Sequence, residues 1–386
     1  MISESKLLDR PVLKSGHKID QSLLWMVVLL TAFSLLMIYS ASIVYAGQEN
    51  GDKMFFLTRQ AAFVATGAAA ALAAAKIRLA VWKKWTPLIF GVALLLLVAV
   101  LGVGREINGA KRWIQMGPVN LQPTEIFKLA VILYLASFFT RKAEVLREFK
   151  KIIPPGMLIG LGLGLVMLEP DFGSFVVIAV IAVGMLYLAG LPWQWFSVMV
   201  AVGLMMMAGL VAAAPYRVAR VTSFLDPFKD PFGSGYQLSH SLMAITRGEW
   251  FGVGLGAGLE KRFYLPEAHT DFIFAVIGEE FGFAGMCVLV FCYGWLVWRA
   301  FSIGKQARDL ELFFGAFVAK GIGIWLGIQS FFNIGVNVGI LPTKGLPLPL
   351  MSYGGSSVVM MLVCVALLMR VDYENRLKMR GFKVEG

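Results

Sequence analysis

The chain has 386 residues, 58% of them hydrophobic and only 15% charged; soluble domains carry about 25% charged residues, so this composition excludes a soluble globular protein and reads as an integral membrane protein. The net charge of +11 is spread over many short connecting segments, which suits anionic lipid head groups and sets nucleic acid aside. Cys287, Cys292 and Cys364 lie inside apolar runs and read as small packing residues, not as a disulfide or a metal site.

Residues 1–20 are polar, with Lys6, Arg10, Lys14 and Lys18. The apolar run that follows is too long for the core of a signal peptide and is expected to remain as the first span. At ~20 apolar residues per spanning helix, the remaining runs predict spans at 21–46, 58–77, 85–103, 124–140, 153–168, 171–190, 192–214, 271–299, 310–338 and 351–370. The expected fold is all-α and polytopic, with about ten transmembrane helices and one large extracytoplasmic loop. It divides into a cytoplasmic segment (1–20), helices one to seven (21–214), the loop (215–270), helices eight to ten (271–370) and a cytoplasmic tail (371–386). Counting Lys and Arg in the connections puts both termini in the cytoplasm and the long loop outside.

Some bases run against that rule. Arg105, Lys111 and Arg112 fall between spans three and four, and Arg217, Arg220, Lys229, Arg247, Lys261 and Arg262 fall in the long loop. They call for an anionic partner on the outer face or for acidic neighbours. Glu125 and Lys128, three apart on one helix face, are placed to pair with one another. The turn Leu168–Ser174 carries Asp171 before Gly173 and Ser174, ordinary turn chemistry. Glu279 and Glu280 lie about as deep from one side as Lys320 lies from the other, which predicts a buried structural pair of Lys320 with Glu280.

Within the long loop, Leu238, Leu242 and Ile245 form one stripe, so Tyr236–Arg247 reads as a short interfacial helix stopped by Gly248. Gly252-Val-Gly-Leu-Gly-Ala-Gly258 lacks the preceding strand of a dinucleotide fingerprint; its alternate glycines allow close backbone approach. Asp271 stands where the loop becomes span eight. Thr270 would cap that helix and the dipole would keep Asp271 ionised, which also suits a general base. His269 reads as a loop residue. The prolines and glycines of Leu341–Ser357 forbid a plain helix, and such backbone is tolerated at membrane depth where it lines a cavity. Lys344, Ser352 and Ser356 are thereby expected to face the same cavity as Asp271.

The motifs Asn108-Gly-Ala-Lys-Arg-Trp-Ile114, Gln122-Pro-Thr-Glu-Ile-Phe-Lys128, Glu169-Pro-Asp171, Asp230-Pro-Phe-Gly-Ser-Gly-Tyr-Gln237, Leu265-Pro-Glu-Ala-His-Thr-Asp-Phe-Ile-Phe274 and Pro349-Leu-Met-Ser-Tyr-Gly-Gly-Ser-Ser357 together resemble the SEDS family (shape, elongation, division and sporulation) over essentially the whole chain. Glu267-Ala268 before His269, and Leu341-Pro-Thr-Lys-Gly345, resemble its division branch. The resemblance implies a peptidoglycan glycosyltransferase of the bacterial inner membrane that polymerises lipid II during septal wall synthesis, with Asp271 as the catalytic carboxylate. It implies transfer with inversion from a glycan linked to undecaprenyl pyrophosphate. Arg112, Lys128, Arg217 and Lys344 are the candidate cations for the pyrophosphate, with Glu125 and Ser352 in the same substrate site. No metal-ligand cluster is legible, although the family's likeness to metal-dependent transferases leaves a place for a divalent cation, Mg2+ or Mn2+. The implied partners are a class B penicillin-binding protein and other divisome proteins. The rival readings are a lipid II flippase and a divisome scaffold.

Overall fold

The computed structural model describes residues 19–49, 51–107, 110–116, 119–141, 152–212, 218, 222–233 and 235–384. Its helices follow the apolar runs. α1 (Gln21–Glu49), α2 (Phe55–Lys76), α3 (Leu79–Val103) and α4 (Pro123–Arg141) precede three shorter apolar helices, α5 (Ile153–Leu168), α6 (Phe172–Leu188) and α7 (Trp193–Ala212). The loop helix α8 (Tyr236–Gly248) leads to α9 (Ile273–Asp309), α10 (Phe313–Asn337) and α11 (Gly355–Met379). Among the described residues, α1–α4 and α9–α11 are long and apolar enough to cross a membrane. With the three shorter helices they coincide one for one with the ten expected spans.

One connection is not plain loop. Between α3 and α4 the chain forms a three-stranded antiparallel sheet of β1 (Arg105–Ile107), β2 (Ala110–Met116) and β3 (Val119–Leu121), with β2 central. Arg105 pairs with Trp113, and Ile114 with Leu121. Asn108-Gly109 in the sequence is a hairpin signal. The sheet is anchored to the bundle through Ser356 at the start of α11. Its hydroxyl donates to the Asn120 carbonyl (3.0 Å) and accepts from the Gln122 N–H (2.9 Å).

The core lies where α4, α9, α10 and α11 meet, and α4 is buried almost all round, with Phe127, Lys128, Ile132 and Leu133 fully enclosed. A helix buried on every face must satisfy its polar side chains internally, and here Lys128 does so against one oxygen of Glu125. The up-and-down course of the chain gathers the sheet, the α5–α6 turn, the long loop and the α10–α11 connection at one end. The opposite end is stitched by Arg299, which reaches Asp20 before α1 (2.5 Å) and Asp372 on α11 (3.8 Å).

α9 has 37 residues and one break, at Gly282 (φ 66°). The glycine-rich loop inserts its backbone there. Val253 and Gly254 donate to the carbonyls of Glu279 and Glu280 (3.0 and 3.1 Å), while Phe283 and Ala284 donate back to Glu249 and Trp250 (2.8 and 3.0 Å). The close approach allowed by the alternate glycines is therefore to α9 itself: a Cβ on Gly252 would lie 2.2 Å from the Glu280 carbonyl oxygen. Side chains complete the joint. Glu279 accepts from the Leu259 N–H (2.7 Å), and Glu280 takes Lys261 and the Ser40 hydroxyl of α1 (2.8 Å).

This corrects the expected pair of Lys320 with Glu280. Lys261, not Lys320, is the partner of Glu280. Because α9 runs ten residues past the expected end of its span, at Arg299, to Asp309, Lys320 packs against Gly304 instead. Glu280 lies 24 residues back along that helix, roughly 36 Å at the helical rise. The equal depths assumed for the two groups came from misjudged helix ends.

Candidate active site

Asp271 sits one residue before Phe272, the N-cap of α9, and the three consecutive carbonyls of His269, Thr270 and Asp271 are each held by a donor from another part of the chain. The Tyr353 N–H donates to His269 (2.9 Å) and the Ser352 hydroxyl to Thr270 (2.5 Å). Asn333 and Asn337, one turn apart on α10, both donate to the Asp271 carbonyl (2.8 and 3.0 Å). Asn333 also donates to Leu346 (2.8 Å), and Asn337 accepts from the Ala275 N–H (3.0 Å). Main chain clamped in this way cannot rotate freely, so the carboxylate direction is set before any ligand arrives. Gly345 packs directly on that carboxylate: a Cβ there would lie 2.6 Å from the Asp271 Oδ2.

The carboxylate opens into a cavity of about 390 Å³, lined among others by Arg59, Arg112, Glu125, Asp171, Glu267 and Tyr353. That is the size of a small-ligand site. Asp271 keeps some exposure toward it but is densely enclosed elsewhere. Burial, reinforced by the charges of Glu267 and Asp171 and opposed by Arg112, pushes its carboxyl up to about 7. The helix-dipole argument predicts a firmly ionised group at neutral pH. Desolvation overrides it, and Asp271 titrates near neutrality. Burial also lowers the pKa of His269, with Glu267 opposing. Its ring packs among Phe56 (4.3 Å between centroids), Tyr353 (5.6 Å) and Tyr45 (6.1 Å), so it serves the wall of the site.

Arg112 lies on β2 and points across to the α5–α6 turn. Its Nε donates to the Glu169 carbonyl (3.1 Å) and an Nη donates to the Pro170 carbonyl. Asp171 caps α6 by accepting from the Ser174 N–H (3.1 Å) and takes Gln122 at 3.4 Å, which makes the ordinary-turn reading correct while leaving its carboxylate on the cavity wall. Glu169 is fully buried, and neither carboxylate oxygen has a partner among the described residues. Burial first, then Asp171, raises it to about 8 against the pull of Arg112, so this side chain is mostly neutral at pH 7.

Three of the other expected site residues stand elsewhere. Lys128 is fully buried behind the cavity, paired with Glu125 (2.7 Å), bonded to Gln329 (3.3 Å) and 5.4 Å from the Trp325 ring centroid. It supports Glu125 and does not line the cavity. Ser352 is buried, its hydroxyl spent on Thr270 and on the Leu348 N–H (2.8 Å), so it positions the loop from outside the cavity lining. Lys344 lies against the Phe172 ring (4.6 Å), outside the cavity lining. Arg217 lies outside the described residues. Glu125 does reach the cavity, and its Oε2 has no partner there among the described residues. Arg59, Asn333 and Asn337 were not legible as site residues, because only the fold brings α2 and α10 to Asp271.

Among the described residues, no three His, Cys, Asp or Glu side chains converge into a cage for a metal ion.

The family model described as "Cell cycle protein", covering FtsW, RodA and SpoVE, matches residues 21–377. A protein of Neisseria gonorrhoeae (strain NCCP11945) named "Probable peptidoglycan glycosyltransferase FtsW" is 62% identical over 415 residues, covering 98% of this chain and 90% of the relative. One of the same name from Polynucleobacter necessarius is 49% identical, covering 95% and 88%. Among solved structures, one titled "Structural coordination of polymerization and crosslinking by a peptidoglycan synthase complex" matches with a TM-score of 0.75 at 30% identity, covering 92% of this chain and 98% of that one. The rod shape determining protein RodA of Thermus thermophilus matches with a TM-score of 0.69 at 28% identity, covering 92% and 97%. With the match running across nearly the whole chain, this protein belongs to the FtsW/RodA/SpoVE family of cell cycle proteins.

Proposed function

We propose that this chain, a multi-pass membrane peptidoglycan glycosyltransferase, polymerises lipid II at the division septum with Asp271 as general base. The observation that carries the reading is a clamped carboxylate, titrating near neutrality, at the wall of an open cavity that also presents Arg112. Ionised Asp271 accepts the proton of the 4-hydroxyl of the incoming disaccharide as that oxygen bonds the anomeric carbon of the growing glycan. The bond from that carbon to the pyrophosphate breaks on the opposite face, so an α-linked donor yields a β-1,4 product. Arg112, preorganised by two carbonyls, stabilises the charge that develops on the leaving pyrophosphate. Asn333, Asn337 and Ser352 hold the base, and Glu125 offers its free oxygen to a sugar hydroxyl or amide.

The basic residues of the connections support a topology with both termini cytoplasmic and the cavity facing outward. A class B penicillin-binding protein, supplying the crosslinking activity, is the expected partner, with lipid II and undecaprenyl-pyrophosphate-linked glycan as substrates. A divalent cation would draw most of its ligands from the pyrophosphate and water, with one or two carboxylates such as Glu267 and Asp271. The test is polymerisation of purified lipid II by the purified protein, with and without that partner, for the parent and for Asp271→Asn. A folded Asp271→Asn protein that polymerises at the parental rate would overturn the assignment.

A further inference from the structure

Four residues of α2 are buried, Phe56, Gln60, Gly67 and Ala74, and Gln60 is the one polar side chain among them. Their spacing puts them on a single helix face. The opposite face, with Ala61, Ala65, Ala68 and Leu72, is exposed. The Gln60 carboxamide is fully enclosed on a helix built mostly from small apolar residues. Such a group is costly to bury unless its donor and its acceptor both find partners.

Both partners belong to one turn. The Gln60 Nε2 donates to the Ser352 carbonyl and the Gly354 N–H donates to the Gln60 Oε1, each at 3.4 Å. These two groups flank Tyr353, so the carboxamide brackets that residue as a neighbouring strand would. The next turns of α2 close on the same place. The Phe56 ring lies 5.1 Å from that of Tyr353, and a Cβ on Gly355 would lie 3.0 Å from the Phe63 ring. Further along, Gly67 lets the backbone of α11 approach: a Cβ there would lie 3.1 Å from the Val359 Cα. The seat of α2 on α11 therefore leaves Gln60 little freedom to move away from the turn.

The bracketed turn is the one that holds the catalytic segment. Tyr353 donates its N–H to the His269 carbonyl and Ser352 its hydroxyl to the Thr270 carbonyl, and Asp271 follows directly. Gln60 stands outside the cavity lining, so its influence on Asp271 is exerted through main chain. We infer that Gln60 is a positioning residue for the proposed reaction, on which this inference rests: its carboxamide fixes the Ser352–Gly354 turn, and the turn so fixed sets the direction of the Asp271 carboxylate. The exposed helix α2 and the base thereby share one rigid connection. The enclosure that pushes Asp271 up to about 7 depends on the same clamp, so a loosened turn admits water and returns the carboxyl toward its ordinary value.

Gln60→Leu nearly keeps the volume and removes both hydrogen bonds. In polymerisation of purified lipid II by the full-length protein in nanodiscs, its maximal rate should fall about 10-fold, the scale of one or two lost hydrogen bonds. Half-saturation should stay within about twofold of parental, since no substrate contact is removed. The midpoint of its pH–rate profile should move below about 7. Hydrogen exchange read by mass spectrometry should show protection reduced about 10-fold in peptides covering 350–356 and also in those covering 267–274. Gln60→Glu is the conservative control, and it carries the test if Gln60→Leu does not fold. Its protonated acid offers the same donor and acceptor, whereas its carboxylate has no donor for the Ser352 carbonyl. Compared with the parent at the same pH, its protection and rate should be near parental at pH 6 and reduced at pH 8. Protection lost at 350–356 but kept at 267–274, a parental maximal rate, or a raised half-saturation at parental rate would overturn the assignment. A parent that does not polymerise lipid II would remove the proposed reaction, while the exchange comparison needs no turnover and decides the role of Gln60 by itself.

Discussion

Asp271 makes opposite demands on stability and activity. Its folded pKa of about 7 lies above the value of 3.8 for an unstrained aspartate. Between those values the folded chain keeps a proton that the unfolded chain has released, so stability falls as pH rises through that window. Asp271→Asn removes this effect, and its melting temperature relative to the parent should be higher at pH 8 than at pH 5. Thermal melts of the purified proteins check the sign. Activity runs the other way: polymerisation should rise as pH passes upward through about 7, because only the ionised form accepts a proton. Asp271→Asn should lose at least the ~10²–10⁴-fold that general acid–base catalysis contributes. Raising the pH should return part of that loss by supplying hydroxide. Ser352→Ala tests the clamp. It leaves the Leu348 N–H and a Thr270 carbonyl without their buried partner, at a cost of about 1–3 kcal/mol. Polymerisation rate should drop with little change in half-saturation. Gly345→Ala should displace the carboxylate itself and depress the rate further, which the same assay measures.

At the scale of elements, the break in α9 is the joint that fixes the long loop to the bundle. The joint is built on a buried ion pair, and removing one partner of such a pair costs about 3–5 kcal/mol. Lys261→Met should therefore lower the midpoint of thermal unfolding sharply. Lys320→Met, at a position facing Gly304 and far from Glu280, should cost much less. An equal loss in the two variants would contradict the pairing seen here. Gly282→Ala is expected to fail more completely. Its φ of 66° disfavours a side chain, and its Cβ would lie 2.4 Å from the Gly252 nitrogen. Because Lys261 lies only ten residues before Asp271, loosening this joint should also reduce polymerisation in protein that remains folded.

For the whole molecule, alternation of the helices gathers the sheet, the long loop and the cavity at one end. With that end outside, a cysteine placed at exposed Ala257 should react with an impermeant reagent on intact spheroplasts. One placed at exposed Lys76, the last residue of α2, should react only after permeabilisation. Reversed labelling would invert the topology and put Asp271 on the wrong side for an external substrate. The Arg299 ties to Asp20 and Asp372 lie at the Lys76 end and hold the first, ninth and eleventh helices together there.

Apolar run length determined most of the architecture from the sequence alone. In a bilayer, every backbone polar group must be satisfied within its own segment, so hydropathy and helix count are nearly the same information. The loop helix at Tyr236–Gly248 and the importance of Asp271 were legible for similar reasons, a local periodicity and a local motif. What the tertiary structure decided was long-range. Glu280 chose Lys261 over Lys320 because helix ends, which hydropathy blurs, set relative depth. Lys128 and Ser352 were drawn inward, away from the cavity lining, because burial obliges a charge or hydroxyl to find partners within the protein. Arg59, Asn333 and Asn337 joined the site across more than 60 residues of sequence each, and the near-neutral titration of Asp271 arose from enclosure by groups on several elements. Desolvation and charge depend on neighbours in space, and those neighbours exist only once the chain has folded.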